Sequence, residues 1–255
     1  MKTLLFCTCY LGDEAAWPSR YRAWLDHVAA IPLRHDVVFL IDDGSAHLPR
    51  DPDVAITSAL PDALDDRPVL FHFEQHLGRS GHNDFPGWLR GFFASLDVAR
   101  KYGCDKIVHL ESDARLLSGR IADYINGIDS GWTALWCPLY NMPECAIQVI
   151  CADRFDEMET IARDPIAATA GWTIELALPF TNIEMSFTGD RYGEFSRAIP
   201  VDADYVCQFD GAMAAEFRAG DTRADAATPQ VAVRPDESLA RRLFGRLRGA
   251  GRREP

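Results

Sequence analysis

The stretch DVVFLIDDGS, residues 36–45, contains a continuous apolar run that stops abruptly at acidic and turn-forming residues. Two other stretches follow the same plan: LLFCTCY at 4–10 and KIVHLESD at 106–113. Strands that are apolar throughout, instead of alternating with polar residues, are typical of a parallel sheet covered on both faces. The three stretches therefore predict buried parallel strands, each ending in polar side chains.

Helical patterns lie between these strands. Apolar residues recur at helical spacing after Pro18, and a second helix is predicted over 88–102, with Gly103 as its stop. A further buried strand is predicted at 69–73. Because strand and helix alternate, right-handed crossovers are expected. We therefore predict an α/β fold with a doubly wound, mostly parallel sheet flanked by helices.

The second half of the chain is less regular. Strands are predicted at 132–137 and 146–152, followed by a short amphipathic helix at 153–163. Residues 164–210 mix aromatic residues, glycines and acids without a clear period. Such a segment is typical of a variable substrate wall, so we expect the irregular second half to face an acceptor.

Composition divides the chain into a predicted domain at 1–217, a linker at 218–237 rich in Ala, Asp, Thr and Pro, and a basic tail at 238–255. The tail could form a helix with leucines on one face and arginines around it. A basic amphipathic helix can lie on an anionic membrane surface. Peripheral contact at the inner face of the membrane is one interpretation of the tail; a disordered, solubilising tail is the other.

Charge and hydropathy restrict the partners. The net charge is −12, which argues against a nucleic-acid partner because neutralising phosphates requires clustered Lys and Arg. No apolar run approaches the roughly 20 residues that span a bilayer. The run at 4–11 lacks the cleavage pattern of a signal peptide. We therefore expect a cytoplasmic protein.

Two acidic motifs carry the chemistry. Asp42 and Asp43 follow a buried strand, where a carboxylate can accept hydrogen bonds from a base N–H or ribose hydroxyls, and Gly44 permits a sharp turn. The alternative is an ordinary Asp-Gly turn capped by Ser45. In an open α/β sheet the ligand crevice lies outside the carboxyl ends of the strands, which is where this motif is predicted to lie.

The second motif is Glu111-Ser112-Asp113, also after a buried strand. Two carboxylates two residues apart can share a hard cation, and Mg²⁺ or Mn²⁺ is typically held by one or two carboxylates together with phosphate oxygens and water. An acidic loop without a ligand is the alternative for this tripeptide taken alone.

The order and spacing of three motifs resemble the GT-A glycosyltransferases, particularly family 2, which includes many bacterial polysaccharide enzymes. The motifs are Thr8-Cys9-Tyr10, Asp42 to Ser45, and Glu111-Ser112-Asp113. The resemblance covers roughly residues 3–125. It implies contacts from a nucleotide sugar to Thr8, Tyr10, Asp42, Asp43 and Ser112, and a Mn²⁺ or Mg²⁺ site at Glu111 and Asp113. Asp43 is the expected base contact and Asp113 the expected direct metal ligand.

Two features depart from that family. Where family 2 enzymes often have an Asn-x-Gly and a basic residue, this chain has a loop ending in Arg79, our candidate for the diphosphate; a solvated loop arginine is the alternative. The usual Glu-Asp pair that supplies the catalytic base is not evident. Glu175, beside an aromatic residue in an apolar setting, is the candidate base, with Glu144 and Asp190 as competitors.

Aromatic residues in the second half could stack on a sugar, although core packing is expected for most of them. They are Trp132, Trp136, Tyr140 and Trp172.

The predicted function is therefore metal-assisted transfer of a hexosyl group from a nucleotide-diphosphate sugar, expected to be UDP-linked, to a glycan or lipid-linked acceptor with inversion. The alternatives are a sugar-nucleotide nucleotidyltransferase and a non-catalytic GT-A-like binding domain. Nucleotidyltransferases carry a Gly-rich loop after the first strand, whereas residues 11–20 contain only Gly12. A dinucleotide-dependent dehydrogenase is disfavoured because no Gly-x-Gly-x-x-Gly follows that strand.

Overall fold

The computed structural model describes residues 1–81, 84–169, 173–195 and 197–209. The linker and the basic tail predicted from composition lie outside the described residues, as does Trp172. Within the described ranges, no helix combines the length and the apolar content that crossing a membrane requires.

In the first half of the chain, helices follow the first and fourth strands, whereas the second, third and fourth strands follow one another without a helix between them. The strands are β1 (Thr3–Cys9), β2 (Val37–Asp42), β3 (Ala55–Thr57), β4 (Val69–His72), β5 (Lys106–Leu110), β6 (Arg115–Leu116), β7 (Trp132–Cys137), β8 (Met142–Cys151), β9 (Asn182–Glu184), β10 (Gly189–Asp190) and β11 (Tyr205–Val206). The helices are α1 (Ala23–Ala30), α2 (Pro86–Lys101), α3 (Gly119–Gly127), α4 (Phe155–Ala162), α5 (Pro165–Thr169) and α6 (Ile174–Ala177). A π-helical turn, Trp17–Arg22, leads into α1, and a 3-10 turn, Ala152–Arg154, leads into α4.

Eight strands form the main sheet in the order β3-β4-β2-β1-β5-β8-β7-β9. Among the described strands of this sheet, only β8 runs antiparallel to its neighbours, and every other pairing is parallel. A small second sheet has the order β10-β11-β6. The predicted α/β fold with a mostly parallel sheet is therefore confirmed.

Two apolar layers cover the main sheet because successive side chains of a strand point to opposite faces. In β1, Leu5 and Cys7 join the core beneath α1 and α3, whereas Leu4 and Phe6 join the core beneath α2 and α4. All four side chains are fully buried. Burying a large apolar side chain contributes about 1.5–3 kcal/mol to the stability of the fold. Strands that are packed on both faces therefore hold their carboxyl ends in fixed positions.

The strands predicted within 4–10, 36–45, 69–73 and 106–113 are β1, β2, β4 and β5. The strand predicted at 146–152 is the second part of the longer β8, whose pairing with β7 shifts between Ala134 and Leu135. Strands of two or three residues, such as β6, β10 and β11, are too short to produce a periodic signal, so the second sheet was not predicted.

Candidate functional site

The carboxyl ends of β1, β2 and β5 meet at one edge of the sheet because β1 pairs in parallel with both neighbours. Thr8, near the end of β1, donates a hydrogen bond from Oγ1 to Oε1 of Glu111 at 2.7 Å. Two motifs separated by about a hundred residues of sequence are thus in direct contact. We call this region the strand-end site; its members are Thr8, Tyr10, Asp43, Glu111, Ser112 and Asp113.

Glu111 is a buried acid anchored through one oxygen. Its Oε1 accepts hydrogen bonds from Thr8, from the indole N–H of Trp88, and from Nε2 of His109 at 3.0 Å. Burial by itself raises the pKa of Glu111, but His109 and the hydrogen bonds from His109, Thr8 and Trp88 outweigh it, so the pKa is below its ordinary value. Glu111 is therefore an ionised, immobilised carboxylate.

His109 and Trp88 were not among the predicted site residues, although a signal for His109 exists. His109 lies two residues before Glu111, and strand periodicity places side chains two apart on the same face. Trp88 lies at the start of the helix predicted over 88–102, and no sequence pattern pointed to a polar contact from its indole. Its ring does stack on Phe92, at a centroid distance of 4.8 Å, while its indole N–H reaches Glu111.

Arg20 holds the other two residues of the acidic motif. It lies on the π-helical turn before α1, donates from Nε to Ser112 Oγ at 2.6 Å, and pairs through a terminal nitrogen with Asp113 Oδ2 at 3.3 Å. The Asp113 side chain is 24% exposed. Burial, reinforced by the negative charge of Glu111, raises the pKa of Asp113 although Arg20 opposes this shift. Sequence patterns gave no sign of Arg20, because its contact depends on how the turn packs.

The fit of a metal ion to this motif depends on what completes its ligand shell. Among the described residues, no three His, Cys, Asp or Glu side chains gather closely enough to hold a metal by themselves. Asp113 presents a partly exposed carboxylate, whereas Oε1 of Glu111 faces protein donors. This set fits a Mg²⁺ or Mn²⁺ ion that takes one carboxylate and completes its shell with phosphate oxygens and water.

Asp43 fastens the loop after β4 to the end of β2. Its carboxylate accepts the backbone N–H of Gly78 at 2.7 Å and pairs with the guanidinium of Arg90. The ring nitrogen Nδ1 of His76 lies 2.8 Å from the Asp43 carbonyl oxygen. Gly44 permits this closure, because its φ is +75° and a Cβ there would lie 2.5 Å from the backbone of Gln75. Asp43 therefore fixes the position of the loop that borders the strand-end site.

Asp42 points into the protein. Its carboxylate accepts the backbone N–H of Ser45 at 2.9 Å and the Ser45 hydroxyl, and Nδ1 of His72 lies 2.7 Å away. Asp42 is fully buried. These contacts match the capped-turn interpretation, and we leave Asp42 out of the strand-end site.

Tyr10 and Arg79 are both exposed at this edge. Tyr10 is 43% exposed, and its ring stacks on His76 with centroids 4.1 Å apart. Arg79 donates from Nε to the carbonyl of Gly81 at 2.6 Å, and its guanidinium lies over the Phe85 ring. Tyr10 thus offers a flat apolar surface, and Arg79 a cation, near the ends of β1 and β4.

The three candidate bases from the second half lie together. Glu144 on β8 and Glu175 on α6 both pair with Arg191, which directly follows Asp190. Asp190 pairs in turn with Arg197 at 2.8 Å. We call these five residues the carboxylate cluster. Sequence reasoning named the acids but missed both arginines, because no local pattern connects residues so far apart.

The carboxylate cluster lies beside the strand-end site. Glu144 lies where the β7–β8 pairing shifts register, and such bulges re-aim side chains. Two residues later, the carbonyl of Ala146 accepts the backbone N–H of Glu111 at 2.8 Å. The bulged segment of β8 therefore connects the two groups of acids.

Of the predicted stacking residues, Trp132 is a core residue, fully buried with its indole N–H donating to Gln148. Tyr140 is 42% exposed, and its ring lies 5.4 Å from the Arg191 guanidinium. Trp136 is partly buried. Tyr140 is thus the described aromatic residue that best combines exposure with proximity to the carboxylate cluster.

The chain matches no protein-family model and no curated protein in sequence comparison. Among solved structures, a glycosyltransferase involved in the glycosylation of the major capsid of PBCV-1 aligns at 9% identity over 85% of this chain and 98% of its own, with a TM-score of 0.47. The glycosyltransferase GlyE of Streptococcus pneumoniae TIGR4 aligns at 12% identity over 82% of this chain, with a TM-score of 0.51. This chain spans 55% of the GlyE chain. At such identities the likeness concerns the fold alone, and the chain has the fold of a glycosyltransferase.

Proposed function

We propose that the protein transfers a hexosyl group from a nucleotide-diphosphate sugar to an acceptor hydroxyl. The observation that carries this proposal is the contact between Thr8 and Glu111, which joins two strand ends beside the partly exposed Asp113. The glycosyltransferase-type fold and the carboxylate cluster next to this edge support it.

The strand-end site would hold the donor. Tyr10 would stack on the base, with Thr8 at the nucleoside and Asp43 keeping the surrounding loop closed. Arg20 and Arg79 supply guanidinium groups, which bind phosphate bidentately. A Mn²⁺ or Mg²⁺ ion held through Asp113, with Glu111 behind it, would offset the negative charge of the diphosphate.

Glu175 would act as the base. The acceptor hydroxyl gives its proton to the carboxylate, and its oxygen forms a bond to the anomeric carbon. The bond from that carbon to the phosphate oxygen breaks, and its electron pair leaves with the nucleoside diphosphate. Attack from the face opposite the leaving group inverts the anomeric configuration.

The finer assignments form part of the same proposal. They comprise membership of family 2, a UDP-linked donor, a glycan or lipid-linked acceptor in polysaccharide synthesis, and a cytoplasmic location with peripheral membrane contact through the tail. The membrane part is tested by flotation with anionic liposomes, in which deletion of residues 236–255 should abolish co-flotation. Unchanged flotation would contradict it.

The donor is tested by a thermal-shift screen of nucleotide sugars with and without Mn²⁺, because a ligand that binds the folded state raises apparent stability. One nucleotide sugar should raise the melting temperature more in Mn²⁺ than without it, and its turnover should release nucleoside diphosphate. Pyrophosphate chemistry would indicate a nucleotidyltransferase instead. Binding without turnover against any acceptor would indicate a non-catalytic domain.

A further inference from the structure

Arg191 joins two glutamates that come from different parts of the fold. Its Nε donates to Glu144 Oε2 at 2.6 Å, and a terminal nitrogen reaches Glu144 Oε1 at 3.2 Å. The same terminal nitrogen donates to Glu175 Oε1 at 2.6 Å. Glu144 therefore accepts two hydrogen bonds from Arg191, an arrangement we call the fork. Glu175 is held by Arg191 through one oxygen.

The two glutamates differ in what remains available for chemistry. Glu144 is almost completely buried, and its Oε1 also accepts the backbone N–H of Ala146 at 3.0 Å. The Glu175 side chain is 10% exposed, and among the described residues no hydrogen bond reaches its Oε2. Of the two acids, Glu175 has the oxygen that could receive a proton.

The charges of Arg191 and the two glutamates do not balance, because two carboxylates face one guanidinium. Burial raises the pKa of Glu144, and Glu175 adds to this rise while Arg191 opposes it. The pKa of Arg191 lies above its ordinary value, because the two acids outweigh burial. The neighbouring Cys145 remains a neutral thiol, since burial and both carboxylates raise its pKa. Arg191 is therefore the cation that both glutamates share.

Asp190 fixes the position of Arg191. Its carboxylate accepts the backbone N–H groups of Arg191 at 2.9 Å and Leu139 at 3.2 Å, and pairs with Arg197. Although burial raises the pKa of Asp190, these hydrogen bonds hold it below its ordinary value. Asp190 thus serves as an anchor, and its oxygens are already occupied.

We propose that Arg191 is a positioning residue that selects Glu175 as the base. It immobilises Glu144 through the fork and holds Glu175 by one oxygen, leaving the second oxygen to accept the proton of the acceptor hydroxyl. This inference rests on the proposed glycosyl transfer.

The test compares Arg191→Met and Arg191→Lys with the surface control Arg163→Met, after circular dichroism has shown that each variant folds. In Arg191→Met, kcat should fall at least about tenfold, and the acidic limb of the kcat–pH profile should move up by about one unit, a tenfold change in proton affinity. Affinity for the nucleotide sugar should stay within about twofold of wild type, because Arg191 lies outside the strand-end site. Arg191→Lys should keep the limb near its wild-type position but lose kcat several-fold, since an ammonium cannot form the fork.

If the acidic limb of the kcat–pH profile stays in place in Arg191→Met, the inference is overturned. If Arg191→Met does not fold, a wild-type kcat in Arg191→Lys would overturn the inference. Loss of turnover in Glu144→Gln with turnover retained in Glu175→Gln would make Glu144 the base and would also overturn it. A wild-type chain that transfers no sugar to any acceptor refutes the proposed function and the inference together, whereas an active wild type with an unmoved limb refutes the inference alone.

Discussion

The strand-end site and the carboxylate cluster hold their acids in different ways. In the strand-end site, Glu111 and Asp43 accept hydrogen bonds from hydroxyl, indole and backbone N–H groups supplied by the sheet, α2 and the loop after β4. In the carboxylate cluster, the guanidinium of Arg191 holds both glutamates, and Glu144 has one further hydrogen bond, from the backbone N–H of Ala146.

This difference suggests a division of labour. Acids that are fixed by several donors on a rigid sheet edge are suited to binding, because their geometry does not depend on a single partner. An acid held by one bond beside a cation is suited to moving a proton, because one of its oxygens stays available.

The largest effect is expected from Glu175→Gln. Removing the proposed base should lower kcat about 10²–10⁴-fold, while affinity for the nucleotide sugar stays near wild type. Steady-state kinetics and calorimetry measure the two quantities, with Glu157→Gln on α4 as the control. If affinity fell in step with kcat, the two regions would not be separate in function.

Asp113→Asn should show the opposite pattern. Affinity for the nucleotide sugar in Mn²⁺ should fall about 10–100-fold, or about 1.4–2.7 kcal/mol, because the partly exposed carboxylate for the cation is lost. Isothermal titration calorimetry measures this, with the exposed Asp123→Asn on α3 as the control. Unchanged affinity for UDP in Mn²⁺ would remove Asp113 from the donor site.

Gly44→Ala tests whether the strand-end site depends on its backbone. The substitution should lower the free energy of unfolding by about 1–3 kcal/mol, because φ is +75° and the new Cβ would meet the backbone of Gln75 at 2.5 Å. Urea unfolding measures the change. In the control, Gly127→Ala, the new Cβ meets nothing within 4 Å. Equal stability in the two variants would show that the loop adapts and does not constrain the site.

The smallest effect concerns His27, which contacts β6 of the small second sheet. Its Nε2 accepts the backbone N–H of Leu116 at 3.2 Å, and burial, with a contribution from Arg115, lowers its pKa to about 3. Because the unfolded chain binds this proton near pH 6.5, stability should fall as pH drops below that value, by about 1 kcal/mol between pH 7 and 5.5.

His27→Gln should remove this part of the pH dependence, whereas the exposed His47→Gln should keep it. Urea unfolding at the two pH values measures the difference. The same loss of stability in wild type and His27→Gln would assign the effect to other groups.

The strand-end site could be predicted from sequence to a considerable extent. Each of its strands is a local apolar run that stops at polar residues, and parallel pairing brings those ends to one edge. The side chains that hold Glu111 in place were harder to predict from sequence. Trp88 reaches Glu111 from α2, and Arg20 reaches Ser112 and Asp113 only because the π-helical turn packs there.

For the carboxylate cluster, the sequence identified the acids without their arrangement. Glu144, Glu175 and Asp190 were competing candidates for one role, and their roles separate only when their partners are known. Those partners, Arg191 and Arg197, lie on segments with no periodic pattern.

The mostly parallel sheet and the edge at which its polar residues collect are predictable from sequence alone, because strand burial and chain direction are encoded in short contiguous runs. The tertiary structure decided which carboxylate oxygens are already engaged and which acid has one to spare. That choice depends on contacts between distant segments, such as Arg191 with Glu144 and Glu175, whose geometry follows from packing and is not written in any local pattern.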